Sequence, residues 1–305
     1  MNPEQEINKF VSRKLEIKIG ISTGCLMGKS PELALRSIFQ QREIKEALIA
    51  VNEVDRIDGI ELFYRRGLTF QKFNHLLKAI KELKGKPRVL TVHAPLYYDR
   101  HSPIIANVDE RFAAWLLVYM GGFFKNEKAP QLAQQLKAPL VVHAGIIKTL
   151  GEKAKGKPWL VETEKPPLKS TARIVYHPQE VLELARNNHL NLVFDTSRTG
   201  LAGLPLRESW ETYIQDGIGK VKVIHLSGTG GKIVHKDFLD HRQLEELREF
   251  FQQVHRNGWH GVIIIEHAPA VTPGKTYEDK KDQIKYTLGF LLANEIKPRR
   301  SYSLP

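Results

Sequence analysis

The chain has 305 residues, of which 42% are hydrophobic and 26% charged, a balance typical of a globular protein with ample material for a core. Its single cysteine excludes an internal disulfide framework and fits a reducing compartment. No apolar stretch reaches the roughly 20 residues that a bilayer crossing needs, and the polar, acidic N-terminus is unlike a secretory signal. These features predict a cytoplasmic protein without a membrane partner.

The formal net charge is +12, and the isoelectric point is about 9.6. A basic surface attracts polyanions and is typical of proteins that bind nucleic acid. A lysine-rich, solvated surface without a particular partner is the alternative interpretation. The charge therefore favours an anionic partner but does not choose between DNA and a small phosphorylated sugar.

Eight apolar runs recur along the chain and are predicted to be β-strands, at residues 17–22, 59–63, 89–93, 140–143, 160–162, 192–195, 221–226 and 262–266. They are nearly continuous rather than alternating, as expected for a parallel sheet that is covered on both faces. Amphipathic segments between them predict one helix that begins near Ser30 and others over residues 70–83, 109–124, 178–187, 243–255 and 278–294.

The alternation of strands and helices predicts a (β/α)8 TIM barrel, an α/β fold in which functional groups gather at the C-terminal ends of the strands. We expect one domain over residues 1–305, with a short polar N-terminal segment (1–14) and a basic C-terminal tail (297–305). A doubly wound open sheet is the alternative, but it spreads strand ends along a line, whereas a barrel brings them around one point.

Six of the predicted strands stop at a residue that can bind a metal ion. These residues are His93, His143, Glu162, Asp195, His225 and Glu266. A charged group at the end of a buried strand is costly unless something there offsets its desolvation. Metal ions do so, and imidazole and carboxylate groups are their usual ligands. Each residue alone reads as a hydrogen-bonded structural group, but six on the strands of one barrel predict a metal site.

The motifs around these residues resemble those of the xylose isomerase-like barrel superfamily, and within it the branch of endonuclease IV, the apurinic/apyrimidinic-site endonuclease. The resemblance covers residues 17–269. It rests on the motifs Val92-His93-Ala94-Pro95, Val141-Val142-His143-Ala144-Gly145, Leu160-Val161-Glu162-Thr163, Phe194-Asp195-Thr196-Ser197, Ile224-His225-Leu226 and Ile265-Glu266. The chain departs from the family pattern at Ala144, where proline is commoner, and at Thr163, where asparagine is usual.

This resemblance implies two divalent metal ions, with zinc as the first expectation and manganese as the alternative. The first ion would be held by His93, His143 and Glu162. Glu162 would bridge to a second ion, whose other ligands would be Asp195, His225 and Glu266. Two ions about 3.5–4 Å apart suit phosphodiester cleavage, because they activate water and stabilise the attacking and leaving oxygens. Glu162 and Glu266 are expected to be catalytic, the latter with a role in proton transfer.

Arg198 departs from the family pattern, which has a histidine at this position for a third metal ion. A guanidinium has no lone pair to donate, so Arg198 is not a metal ligand. We count it as catalytic, as a fixed charge that grips a phosphate, with a different chemistry or a salt bridge to Asp237 or Asp240 as alternatives. The loop that follows the seventh strand offers Asp237, Asp240 and His241 as a candidate additional metal or phosphate site.

Three functions are compatible with this sequence. The first is a metal-dependent hydrolase that cleaves phosphodiesters in abasic or damaged DNA, which His93, His143 and the basic charge favour. The second is a metal-dependent sugar or sugar-phosphate isomerase or epimerase, which needs one ion held by the other four strand-end residues. The third is a binding protein that keeps the ligands without turnover. We predict the first, with the second as the alternative, and the sequence leaves the oligomeric state open.

Overall fold

The computed structural model describes residues 17–23, 54, 56–63, 78, 88–94, 129–163, 177–229, 231–266 and 277–294. The predicted helix near Ser30 and the one over 109–124 lie outside these ranges, as does the helix over 70–83 apart from Lys78. The segments 1–14 and 297–305 also lie outside the described residues.

Eight parallel strands form a closed barrel in which each strand pairs with its neighbours in chain order and the last strand pairs with the first. The strands are β1 (Lys18–Ser22), β2 (Gly59–Phe63), β3 (Arg88–His93), β4 (Leu140–His143), β5 (Trp159–Glu162), β6 (Asn191–Asp195), β7 (Val221–Leu226) and β8 (Val262–Ile265). Each of them coincides with a predicted apolar run to within one residue at either end. The predicted single-domain (β/α)8 barrel is therefore confirmed.

Helices connect the strands within the described ranges. They are α1 (Ala129–Leu136), α2 (Ala144–Leu150), α3 (Pro178–Asn188), α4 (Thr196–Leu201), α5 (Leu206–Tyr213), α6 (His241–Arg256) and α7 (Tyr277–Ala293). The predictions over 178–187, 243–255 and 278–294 are confirmed as α3, α6 and α7, whereas α1, α4 and α5 were not predicted. None of the described helices has the length and apolar character that a bilayer crossing requires.

One hydrophobic layer lies inside the barrel of strands, and another lies outside it. A small buried cluster contains Val141, Leu160, Val193, Val223 and Ile264, and it is separate from the large cluster that packs the strands against the helices. Each of these five residues precedes a predicted metal-binding residue by two positions. Because alternate residues of a strand share a face, these five of the six predicted ligands lie on the same inner face, above this cluster and at the C-terminal mouth of the barrel.

Aromatic rings hold β6 against the helices outside it. Phe194 stacks on Phe250 with ring centroids 5.0 Å apart and meets Trp210 edge-on at 5.5 Å. The Trp210 indole N–H donates to Asn257 Oδ1 at 3.1 Å, so its polar atom is satisfied. Ring pairs of this geometry add to the stabilisation from burial. Phe194 directly precedes Asp195, so this packing fixes the strand end that carries a site residue.

Candidate metal centre

Four side chains converge at the mouth of the barrel. One ligand atom from each lies within 4.8 Å of the others, and the residues are His93, Glu162, His225 and Glu266. The first three are the last residue of β3, the last of β5 and the fifth of β7, and Glu266 follows β8 directly. Among the residues that the structure describes, this is the only group of three or more imidazole, thiol or carboxylate side chains close enough to share an ion.

His93 is oriented so that its Nε2 needs a proton or a metal ion between itself and Glu162. Its Nδ1 lies 2.6 Å from the carbonyl oxygen of Ala94, which can only accept, so Nδ1 carries a proton. The other ring nitrogen, Nε2, lies 3.0 Å from Glu162 Oε2, where two lone pairs would face each other without a proton or a metal ion. Burial favours the neutral ring, but the carboxylate of Glu162 prevails and raises the pKa of His93 to about 9.

His225 is surrounded by three carboxylates. Its Nδ1 lies 2.7 Å from Glu162 Oε1 and 2.8 Å from Glu266 Oε2, and its Nε2 lies 3.0 Å from Glu61 Oε2. Burial opposes a charge on the ring, yet the carboxylates, with Glu61 first, raise the pKa of His225 well above its usual value. One proton on Nδ1 cannot satisfy two acceptors fully. A cation shared by these groups would, and two imidazoles with two carboxylates suit zinc or manganese.

Glu162 is the centre of this arrangement. Its Oε2 lies 3.0 Å from His93 Nε2, 3.5 Å from His143 Nε2 and 3.3 Å from Arg198 Nη1, and its Oε1 faces His225. The side chain is fully buried, which would raise the pKa of Glu162, but Arg198, His225 and His93 hold that pKa well below its usual range. Glu162 is therefore ionised and lies between these three imidazoles and the guanidinium.

Glu61 belongs to this centre, although sequence reasoning missed it. It is the third residue of β2, fully buried, and its Oε2 accepts a hydrogen bond from Thr91 Oγ1 at 2.8 Å as well as facing His225. Its Oε1 has no hydrogen-bond partner within the described residues. Glu61 lies in the middle of an apolar strand and not at its end, and this lone charge within the strand was the available signal. A metal-bound histidine commonly donates its second N–H to such a carboxylate.

Neutralising Glu61 is expected to weaken metal binding without removing a ligand. Since Glu61 orients the His225 ring, we expect Glu61→Gln to weaken metal affinity about 10-fold and Glu61→Leu about 100-fold, the range typical of outer-shell partners. Competition titration against a chelator measures the change. Thr91→Val removes only the second partner of Glu61 and serves as the matched control, with a smaller expected effect. Unchanged affinity in both Glu61 variants would exclude this role.

The two predicted ligands outside the four-residue group also face Arg198. Asp195 caps α4 by accepting from the backbone N–H of Arg198 at 3.0 Å, and its Oδ2 lies 2.9 Å from Arg198 Nε. Burial raises the pKa of Asp195 to about 7, although Arg198 opposes the shift. His143 Nδ1 accepts a hydrogen bond from Arg198 Nη1, and burial together with Arg198 holds the pKa of His143 well below its usual value. Neither residue belongs to the four-residue group.

The residues of the additional candidate site lie in the loop before α6 and at the start of that helix, outside the four-residue group. Asp240 is the N-cap of α6, where its carboxylate accepts from the backbone N–H of Gln243 at 2.8 Å and the Gln243 side chain accepts from the Asp240 N–H at 3.2 Å. Asp237 is 65% exposed, 3.4 Å from His235 Nδ1, and His241 is exposed at the start of the helix. These residues do not join the four-residue group, and an ion or phosphate there remains a prediction.

Comparison with known proteins identifies the fold. No protein-family model matches the chain, and no curated protein matches its sequence. Solved structures do match. The 3-keto-D-glucoside 4-epimerase from E. coli is 14% identical, with 90% of this chain and 100% of that chain covered and a TM-score of 0.54, and D-psicose 3-epimerase is 10% identical, with 92% and 100% covered and a TM-score of 0.57. Endonuclease IV from Thermus thermophilus is 14% identical, with 90% of this chain and 99% of that chain covered and a TM-score of 0.50.

These structural neighbours are xylose isomerase-like TIM barrels, so the resemblance inferred from the sequence motifs is confirmed as a resemblance of fold. The chain is a closed barrel of eight parallel strands with a cluster of imidazole and carboxylate groups at the mouth that fits a divalent ion. The neighbours are enzymes and include both an endonuclease and sugar epimerases. At identities of 10–14% the likeness extends to the fold alone and does not choose between hydrolysis and isomerisation.

Proposed function

We propose that the protein is a divalent-metal-dependent isomerase or epimerase that acts on a sugar or sugar phosphate with a single ion. The observation that carries this proposal is the convergence of His93, Glu162, His225 and Glu266 on one point. The two other predicted ligands, which a second ion would need, are engaged by Arg198. This geometry favours one-ion chemistry and reverses the order of preference that the sequence alone suggested.

Glu162 and Glu266 have different roles in the proposed reaction. A bound ion would polarise a carbonyl or hydroxyl group of the substrate. The side chain of Glu266 is 23% exposed, whereas Glu162 is fully buried and contacted by two imidazoles of the ion cluster and by Arg198. Glu266 is therefore the carboxylate that can reach a substrate carbon and carry a proton between neighbouring positions. Glu162 holds the surrounding cations in place.

Hydrogen exchange at a substrate carbon tests this proposal even when the product is unknown. A panel of aldoses, ketoses and their phosphates is incubated with the zinc- or manganese-loaded protein in D2O, and NMR follows deuterium entering the carbon skeleton. Glu266→Gln is expected to slow exchange by about 100-fold or more, the contribution of a general base. Glu249→Gln, an exposed glutamate on α6, is the matched control. Absence of exchange across the panel would count against the proposal.

Cleavage of abasic DNA is the second candidate, and the net charge of +12 favours it. If it is correct, the metal-loaded protein nicks a duplex with one abasic site, and nicking falls steeply as salt is raised, because phosphate contacts release counterions. An undamaged duplex is the control substrate. Nicking without deuterium exchange would replace the first proposal, and exchange without nicking would exclude the second.

A further inference from the structure

The guanidinium of Arg198 lies among three groups that were predicted to bind metal. Its Nε is 2.9 Å from Asp195 Oδ2, its Nη1 is 3.3 Å from Glu162 Oε2, and the same Nη1 donates to His143 Nδ1. Nη1 also donates to the backbone carbonyl of Thr163. The side chain is only 11% exposed. The cation is therefore enclosed by the ends of β4, β5 and β6.

The groups around Arg198 are those that a divalent ion would take. Two carboxylates, an imidazole nitrogen and a carbonyl oxygen are all acceptors, and all of them face one positive charge. His143 presents an unprotonated Nδ1 to the guanidinium, because an arginine only donates. The arrangement is a cation site with good donor chemistry, filled by the side chain of the chain itself.

The same contacts argue against the phosphate-gripping role that the sequence suggested for Arg198. Its Nε and Nη1 are directed at protein acceptors, and Nη2 lies 3.5 Å from His143 Nε2. A bidentate grip on a phosphate needs two parallel N–H groups that point at the ligand. The fixed charge is directed into the protein and neutralises the buried acceptors there.

We propose that Arg198 is a built-in cation in the position of a second metal ion, so that the centre takes one divalent ion per chain and hides a latent second site. The inference rests on the proposed single-ion centre, but it does not depend on which reaction that centre catalyses. The latent site would use His143, Glu162 and Asp195, which are not close enough to one another to share an ion while the guanidinium lies between them. The ion that binds in the unaltered protein would stay with the four-residue group.

Metal stoichiometry tests the inference directly. We expect the unaltered protein to bind one Mn²⁺ per chain, by elemental analysis after gel filtration and by calorimetric titration, and Arg198→Ala and Arg198→Met to bind two. The electron paramagnetic resonance spectrum of the two variants should then show spin coupling between neighbouring Mn²⁺ ions. Arg198→Lys keeps a cation and is expected to bind one. Arg207→Ala, which removes an exposed arginine that is paired with Glu211, is the matched control and should also bind one.

Several outcomes would overturn the inference. Two ions in the unaltered protein would do so, as would one ion in Arg198→Ala or Arg198→Met once circular dichroism shows that the variant is folded. If neither variant folds, anomalous scattering from crystals of the unaltered protein soaked in Mn²⁺ decides: one peak beside Glu266 supports the inference, and a second peak beside Asp195 contradicts it. A protein that binds no ion at all would refute the single-ion proposal as well, whereas one ion in a folded Arg198→Ala would refute this inference alone, so the two failures are distinguishable.

Discussion

Replacing Glu162 by glutamine is expected to remove the metal ion and to cost about 3 kcal/mol of folding free energy in the metal-free protein. Glu162 contacts both imidazoles of the ion cluster as well as the guanidinium. Its neutralisation leaves the buried charge of Arg198 undercompensated and deprives the ion of a negative ligand. We expect metal affinity to fall by more than the roughly 100-fold that an outer-shell partner costs at most.

Elemental analysis and urea unfolding measure the two effects of Glu162→Gln separately. The matched control is Glu152→Gln, because Glu152 is 84% exposed and pairs with Lys155 at 3.1 Å, away from the candidate metal centre. That control should retain the ion and lie within about 0.5 kcal/mol of the unaltered protein. A Glu162→Gln protein that keeps its ion and its stability would show that the Glu162 carboxylate is neither a needed metal ligand nor a needed counter-charge to Arg198.

Metal affinity is expected to rise at least 10-fold per pH unit between pH 7 and 9. In the metal-free protein Glu162 raises the pKa of His93 to about 9 against the effect of burial, so this ring is protonated at pH 7 and must lose its proton before it can bind an ion. The pKa of His225 is raised as well, which adds to the slope. Chelator competition at several pH values measures the dependence. His143→Ala is the matched control and should keep the slope, because the pKa of His143 is already low. An affinity independent of pH would contradict the assignment.

The free energy of unfolding of the metal-free protein is expected to fall as the pH rises, whereas the metal affinity rises. His93 has a folded-state pKa of about 9, above its ordinary value of 6.5, so its contribution is fully present below pH 6.5 and is lost as the pH rises through 9. Between pH 7 and 9 this group alone accounts for a loss of about 2 kcal/mol. Urea unfolding at the two pH values checks the sign, and the metal-loaded protein should lack this loss because the ion has replaced the proton.

The barrel could be predicted from the sequence because each strand is a short apolar run in a chain of regularly spaced helices. A strand that is buried on both faces needs apolar residues at every position, and this requirement marks its ends sharply. Short helices such as α4 and α5 were missed because six to eight residues carry too little periodicity. In α4 the helix begins with the cap that Asp195 provides, a side-chain interaction that depends on the folded strand.

The residues of the candidate site could be predicted from the sequence only where they lie at the ends of strands. Glu61 escaped because it lies in the middle of β2, where a β-bulge shifts the register with β3 between Ile60 and Glu61. The position of Arg198 in the chain was evident, but the direction of its long side chain was not. That direction is fixed by acceptors from three different strands, which no local pattern in the sequence reports.

The candidate metal centre forms only when the barrel closes during folding. Glu61 and the four converging side chains come from β2, β3, β5, β7 and the end of β8, so they meet only after the sheet has closed through the pairing of β1 with β8. A slip of one residue in any of these strands would turn its side chain to the outer face. Tight binding of an ion would therefore depend on the completed chain topology, and partly assembled intermediates would lack the full ligand set. By mass action, a bound ion would draw the population towards the closed form.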